Sequence, residues 1–287
     1  MNFQQTVADR KGSRVAFQGE HGAFSEQAIS LLFPCEVATV PCHTFDDLFA
    51  AVPQDRAEFA LVPLENTLAG NIPRCYELLY QSELTIHAEA ILPIHHCIIG
   101  CEGATLDHLR AVQSHPVALD QCESFFRTHP HIQRKVAEDT AGSVRDVVER
   151  NDPALAAIAG EHAARVYGGS ILLRNVEDYP ENLTRFGLLA PGMLGRGGDK
   201  RSLAVKLKHY PGGLYAALAP FAKHQINLLN IICRPIKGRP WEYLFFIDLA
   251  ASGTDDRMAE AMRELEGAVE EMKVLGAYAS AGTPVST

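Results

Sequence analysis

The sequence predicts an α/β protein: a mostly parallel sheet covered by helices, followed by a smaller β-α-β-β-α-β unit. Short apolar runs alternate with helically spaced apolar residues from Arg14 to about residue 190, and the pattern restarts in compact form beyond the glycine-rich stretch Pro191–Lys200. Length sets the bound: 287 residues, 47% hydrophobic and 21% charged, suffice for about two domains and a sizeable core. The expected divisions are 14–191, a linker over 192–200, and 201–280.

In order, Arg14–Gly19 (RVAFQG) reads as a strand, and Ala23–Phe33 sets Phe24, Ala28, Leu31 and Leu32 on one helical face. Val37–Val40 is again strand-like, and Thr44 stands where it can cap a helix through Phe45, Leu48 and Phe49. Phe59–Pro63 is the next apolar run, and the alternation continues through Ile98, Val112, Val136 and Ile158. Ligands of such sheets bind beyond the carboxyl ends of strands, beside helix N-termini. In the second unit Ser202–Lys208 alternates as a strand, and Gly212–His224 carries Leu214, Leu218, Phe221 and Ala222 at helical spacing. Leu228–Ile236 and Trp241–Leu249 read as strands joined by the hairpin connection Lys237-Gly238-Arg239-Pro240. Met258, Met262, Leu265 and Val269 form a helical stripe, and Val274–Ala279 closes the unit as a strand.

A net charge of −9 argues against nucleic acid or an anionic membrane as the main partner. No apolar run reaches the roughly eighteen residues of a membrane span, and the polar start MNFQQTVADRKGS lacks a secretory core. Seven cysteines without CxxC pairs fit a reducing cytosol, so a cytoplasmic location is expected. His95, His96, Cys97 and Cys101 are of metal-ligand type, but Ile98 and Ile99 make this stretch a buried strand, and no metal site is expected.

Four runs carry chemistry. Gln18–Gln27 (QGEHGAFSEQ) puts Gly22 in a glycine turn, Gly19–Gly22, between strand and helix and Ser25 just beyond it, where backbone N–H groups suit an anion. It lacks the G-x-G-x-x-G and Gly-Lys-Ser/Thr fingerprints of nucleotide sites. Val62–Gly70 (VPLENTLAG) puts polar Glu65, Asn66 and Thr67 directly after an apolar strand, as ligand contacts or caps. Ser114–Cys122 (SHPVALDQC) sets Ser114 at a helix start and Gln121 about two turns on. A Ser/His hydrolase is disfavoured there, because adjacent Ser114 and His115 side chains do not meet and no G-x-S-x-G elbow exists. Last, Asn182–Gly187 (NLTRFG) offers a hydroxyl donor in Thr184, a forked cation in Arg185 and an apolar wall in Phe186.

With these four runs in this order, the sequence resembles the prephenate dehydratase family, including the arogenate dehydratases. GEHGAFSEQA, VPLENTLAGNI, SHPVALDQC and NLTRFGLL carry the likeness, and PGGLYAALAPF and NLLNIICRP resemble the ACT amino-acid-binding domain. The resemblance implies two Rossmann-like lobes of the periplasmic-binding-protein type with a cleft between them, then a ferredoxin-like ACT domain. It implies decarboxylating dehydration of prephenate to phenylpyruvate, or of arogenate to phenylalanine. The aromatising ring is its own electron sink, so no cofactor is expected. Thr184 is then the donor to the leaving hydroxyl, Asn66, Ser114 and Gln121 are its companions, and Arg185 is the carboxylate clamp. Phe186, Ser25, Gly22, Glu65 and Thr67 complete the substrate site.

By the same resemblance, Gly212, Gly213, Leu214, Asn230, Cys233, Arg234 and Pro235 form a regulatory amino-acid site. The family's usual Glu-Ser-Arg-Pro reads Ile232-Cys233-Arg234-Pro235 here, so an L-phenylalanine effector is expected to bind weakly or differently. No chorismate mutase domain precedes Arg14, so a monofunctional chain is expected, forming a homodimer or homotetramer through ACT domains.

Overall fold

The computed structural model describes residues 10–192, 198–236, 238–251 and 256–282. Residues 193–197 of the expected linker and Lys237 of the expected hairpin lie outside the described residues.

Lobe 1 contains β1 (Arg14–Gln18), α1 (Phe24–Leu32), β2 (Ala38–Cys42), α2 (Phe45–Ala51), β3 (Phe59–Asn66), β4 (Gly70–Asn71), α3 (Pro73–Gln81) and β5 (Leu84–Pro93). Lobe 2 follows with β6 (Cys97–Gly100), β7 (Ala111–Ser114), α4 (Pro116–Asp120), α5 (Glu123–Thr128), β8 (Gln133–Val136), α6 (Thr140–Arg150), β9 (Leu155–Ala159), α7 (Glu161–Tyr167) and β10 (Ser170–Arg174). The chain then returns to lobe 1 as β11 (Leu183–Pro191). The C-terminal unit is β12 (Lys200–Lys206), α8 (Gly213–Lys223), β13 (Leu228–Pro235), β14 (Tyr243–Ala250), α9 (Asp256–Ala268) and β15 (Glu271–Tyr278).

The elements follow from local chemistry. Thr44 accepts the Asp47 N–H at 3.1 Å and so starts α2 as expected. Pro116 occupies the first turn of α4, where its missing N–H costs nothing. In α1 the buried face is Ser25, Ala28 and Ile29 rather than the expected one, since Leu31 is 54% exposed.

The lobes are mixed sheets rather than mostly parallel ones. β1 is parallel to β2 and β3, but β11 runs antiparallel to both β3 and β5. In lobe 2, β7 is parallel to β8 and β9, while β6 is antiparallel to β9 and β10. The antiparallel strands are those entering and leaving each lobe, so the chain crosses between lobes twice, at 94–96 and 175–182. The two crossings are tied together: Ile94 N donates to Asn182 O at 2.8 Å and Val176 N to His96 O at 3.0 Å.

The C-terminal unit has strand order β13-β14-β12-β15, the ferredoxin-like order. Its sheet continues into that of lobe 1, making a ten-stranded sheet through a parallel contact of β15 with β5 at Gly276 and Ile86. No described helix is long and apolar enough to cross a membrane.

Candidate active site

A cavity of about 450 Å³ opens between the lobes. Lobe 1 lines it with Gln18, Gly19, Ser25, Asn66, Thr184 and Phe186; the first crossing adds His96, and lobe 2 adds Val117, Gln121, Asp139 and Thr140. Thr184 lies one residue inside β11 and Asn66 ends β3, paired in register, so the cavity sits at strand termini.

Asn66 is fully committed. Its Oδ1 accepts the N–H groups of Leu68 and Ala69 at 3.0 and 2.8 Å, which shapes the turn into β4. Its Nδ2 donates to Asn182 Oδ1 at 2.7 Å and to Thr184 Oγ1 at 3.0 Å. Because Thr184 Oγ1 receives that bond, its own O–H remains to donate into the cavity. Asn182, fully buried, donates in turn to Gln121 Oε1 at 3.0 Å. Gln121 Oε1 also lies 3.0 Å from His96 Nε2. Burial lowers the His96 pKa, outweighing its bond to Gln121 and the charge of Glu177, so the ring is neutral and Nε2 carries the proton. With both donors on Oε1, the Gln121 NH₂ group is left for a ligand. One amide thus joins both crossings to the cleft.

Among the described residues no lysine or arginine lines this cavity; its charged lining is Glu138 and Asp139. Burial raises the Asp139 pKa, against the bond from the Gly142 N–H at 2.6 Å that makes Asp139 the cap of α6. The first turn of α1 has no capping side chain, so its N–H groups are the natural seat for a carboxylate.

Two polar contacts join the lobes: the ion pair of Arg145 with Glu20 at 3.0 Å, and His162 Nε2 within hydrogen-bonding distance of Glu26 at 3.2 Å. Burial raises the Glu26 pKa, but bonds from His162, the Gly22 N–H, Thr39 and His21 outweigh it and hold the carboxyl well below the usual range.

Several expected site residues lie elsewhere. Successive strand residues face opposite sides, so with Thr184 and Phe186 at the cleft, Arg185 points away. Its guanidinium meets Glu65, Glu89 and Asp248 at 3.1, 3.4 and 3.0 Å. Neither Arg185 nor Glu65 lines the cavity, and the two pair with each other. Ser114 is fully buried at the end of β7, where its hydroxyl donates to Ile158 O at 2.6 Å, away from the cavity. Thr67 Oγ1 donates to Glu181 O at 2.8 Å and accepts from Leu183 N at 2.9 Å, tying β3 to the second crossing. Gly22 is a lobe contact, since a Cβ on it would come 2.8 Å from Ala163 Cα. Ser25, Phe186, Asn66, Gln121 and Thr184 do line the cavity. Asn182 and His96 were missed as site residues, and only their burial at the crossings reveals them.

In the C-terminal unit, Gly212 takes φ +88° before α8, and Gly213 and Leu214 border a cavity of about 130 Å³. Cys233 is exposed and Pro235 ends β13. Arg234 pairs with Glu77 of α3 at 3.0 Å, and Asn230 Nδ2 donates to Asn71 Oδ1 at 3.3 Å. Both of these regulatory candidates thus contact lobe 1 within the same chain.

Two crossed lobes around a donor-rich cleft, with a ferredoxin-like module in sheet continuity, define a two-lobed cleft protein with an appended effector-type domain. The prephenate dehydratase family model matches residues 15–193 and the ACT domain model residues 202–267. The chain is 38% identical to arogenate dehydratase/prephenate dehydratase 2, chloroplastic, of Arabidopsis thaliana, over 96% of this chain and 74% of that protein. Among solved structures, GqqA, described as a novel type of quorum quenching acylase, superposes with TM-score 0.86 at 33% identity, covering 93% of this chain and 98% of that one. The prephenate dehydratase of Arthrobacter aurescens in complex with L-Phe gives TM-score 0.85 at 30% identity, covering 93% and 89%. The chain belongs to the prephenate dehydratase family and carries a C-terminal ACT domain.

Proposed function

We propose that the chain catalyses the decarboxylating dehydration of prephenate to phenylpyruvate, carbon dioxide and water, in phenylalanine biosynthesis. The observation that carries this reading is the Thr184 hydroxyl, which lines the cavity with Asn66 Nδ2 3.0 Å from its oxygen, an arrangement that leaves its O–H able to donate to a ligand. In the reaction the C–CO₂ bond breaks and its electron pair enters the ring. The C–OH bond across the ring then breaks, and the departing hydroxide takes up a proton to leave as water. A threonine is a weak acid, so its part is a placed donor to the developing hydroxide, its proton recovered from solvent. Gln121 NH₂ and the first turn of α1 hold carboxylates, and Phe186 walls the ring. The test is phenylpyruvate release from prephenate by purified protein with nothing added. Silence toward both prephenate and arogenate overturns the reading.

Arogenate is favoured as a second substrate by one observation: the charged lining of the cavity is acidic. An ammonium group beside Glu138 and Asp139 is attracted where a keto group is not. Comparing kcat/KM for the two substrates ranks them.

Exposed Tyr215, Leu229, Ile231 and Trp241 support association between ACT domains as a dimer or tetramer, which light scattering distinguishes. The ICRP motif supports weak or altered L-phenylalanine binding, and a tight, saturable thermal shift with that amino acid counts against it. Seven free cysteines fit a cytoplasmic setting.

A further inference from the structure

The guanidinium of Arg185 leaves the cleft face and enters the seam between lobe 1 and the ACT domain. Lobe 1 meets it with Glu65 Oε2 at 3.1 Å, Glu89 Oε2 at 3.4 Å and Tyr76 Oη at 3.1 Å. The ACT domain meets it with Asp248 Oδ2 at 3.0 Å, an approach that is an ion pair without an aligned hydrogen bond. Lys200 of β12 lies 3.0 Å from Glu89 and 3.9 Å from Asp248. Ser202 Oγ donates to Asp248 Oδ1 at 2.6 Å and therefore accepts from Tyr278 Oη at 2.8 Å. Arg185, Glu89, Asp248 and Lys200 side chains are each 10% exposed or less.

We propose that Asp248, in the ACT domain, is a positioning residue for the reaction: it fixes Arg185 and, through β11, the Thr184 hydroxyl. The proposal rests on the cleft being the dehydratase site. Three observations support it. Thr184 directly precedes Arg185 in β11 and lines the cavity, so a shift of Arg185 along the sheet moves the Thr184 hydroxyl. The ladder between β11 and β3 shifts register between Arg185 and Phe186, so at this point β11 is held in regular register on the β5 side alone. Without Asp248 the guanidinium keeps only its lobe 1 partners Glu65, Glu89 and Tyr76, so the pull that centres it in the seam is lost and it settles toward the flanking strands. Asp248 also pairs in register with Asn230 of β13, the strand of the ICRP motif. A ligand that displaces β13 and β14 therefore acts on Thr184 by this route.

The test uses the full chain and prephenate turnover followed by phenylpyruvate absorbance. Asp248→Asn keeps the shape and removes the charge. It is expected to lower kcat about tenfold or more while changing KM by less than about twofold, since Asp248 touches no substrate. In a Thr184→Val background the same substitution is expected to cost less than about twofold, because both act through one hydroxyl. Wild-type kcat in Asp248→Asn, or losses that multiply in the double variant, overturns the proposal. If Asp248→Asn does not fold, Ser202→Ala serves: it removes one bond to Asp248 and should lower kcat about two- to fivefold, again only with Thr184 present. An unchanged kcat there overturns it equally. A wild-type chain inactive on both prephenate and arogenate removes the functional reading itself, a separate outcome.

Discussion

At the residue scale the cleft depends on two amides that leave a proton where it is needed. Thr184→Val removes the donor while keeping shape, and kcat should fall roughly 10²–10³-fold, the usual loss for one transition-state donor. Near-normal phenylpyruvate release would refute that role. Asn66→Ala should combine a milder loss of kcat with lower stability, because it also frees the Leu68 and Ala69 N–H groups. Turnover and melting temperature, measured on one preparation, separate the two effects. His96 gives a pH signature. Its folded pKa is depressed by burial, so its stabilising contribution is present above the unfolded value of about 6.5 and is lost as pH falls through the folded value. Melting temperature should therefore drop on acidification from pH ~7.5, and less steeply in His96→Gln.

At the element scale, the strand-end position of Asn66 is legible in the sequence, because polar residues closing an apolar run mark a ligand edge. Thr184, Arg185 and Phe186 were read as three groups on one ligand, yet the two-residue period of a strand sends the middle one to the other side. Ser114 is ambiguous in a similar way, since a serine closing a buried strand can satisfy a neighbouring carbonyl as readily as a substrate. The element order of the ferredoxin-like unit is legible in the sequence, because its elements carry their own apolar spacing. The mixed sheets of the lobes are not, because strand direction depends on where the chain crosses. Gly22 gives a prediction at this scale. Its φ of +88° and its approach to Ala163 mean Gly22→Ala must both strain the turn and push the lobes apart. A rise in KM with a loss of melting temperature is expected, and an unchanged KM would show that the lobes do not meet there during turnover.

At the scale of the whole molecule, closure rests partly on half-exposed charge. The Glu20–Arg145 pair is 24% and 39% exposed, so its worth is modest and falls with salt. Arg145→Met should raise KM severalfold at low ionic strength, the difference shrinking near 1 M salt as screening shortens to about 3 Å. A salt-independent effect would point to packing instead.

The seam at Gly276 and Ile86 has a consequence for how the chain comes apart. A Cβ at Gly276 would stand 2.7 Å from Ile86 O, so the strands meet there backbone to backbone. Were the C-terminal module cut away, β5 would become a bare sheet edge, the template on which chains aggregate. Glu89 would also lose Lys200 and be left facing water beside Arg185. The two modules should therefore melt as one calorimetric transition, and amides of β5 and β15 should exchange their hydrogens together.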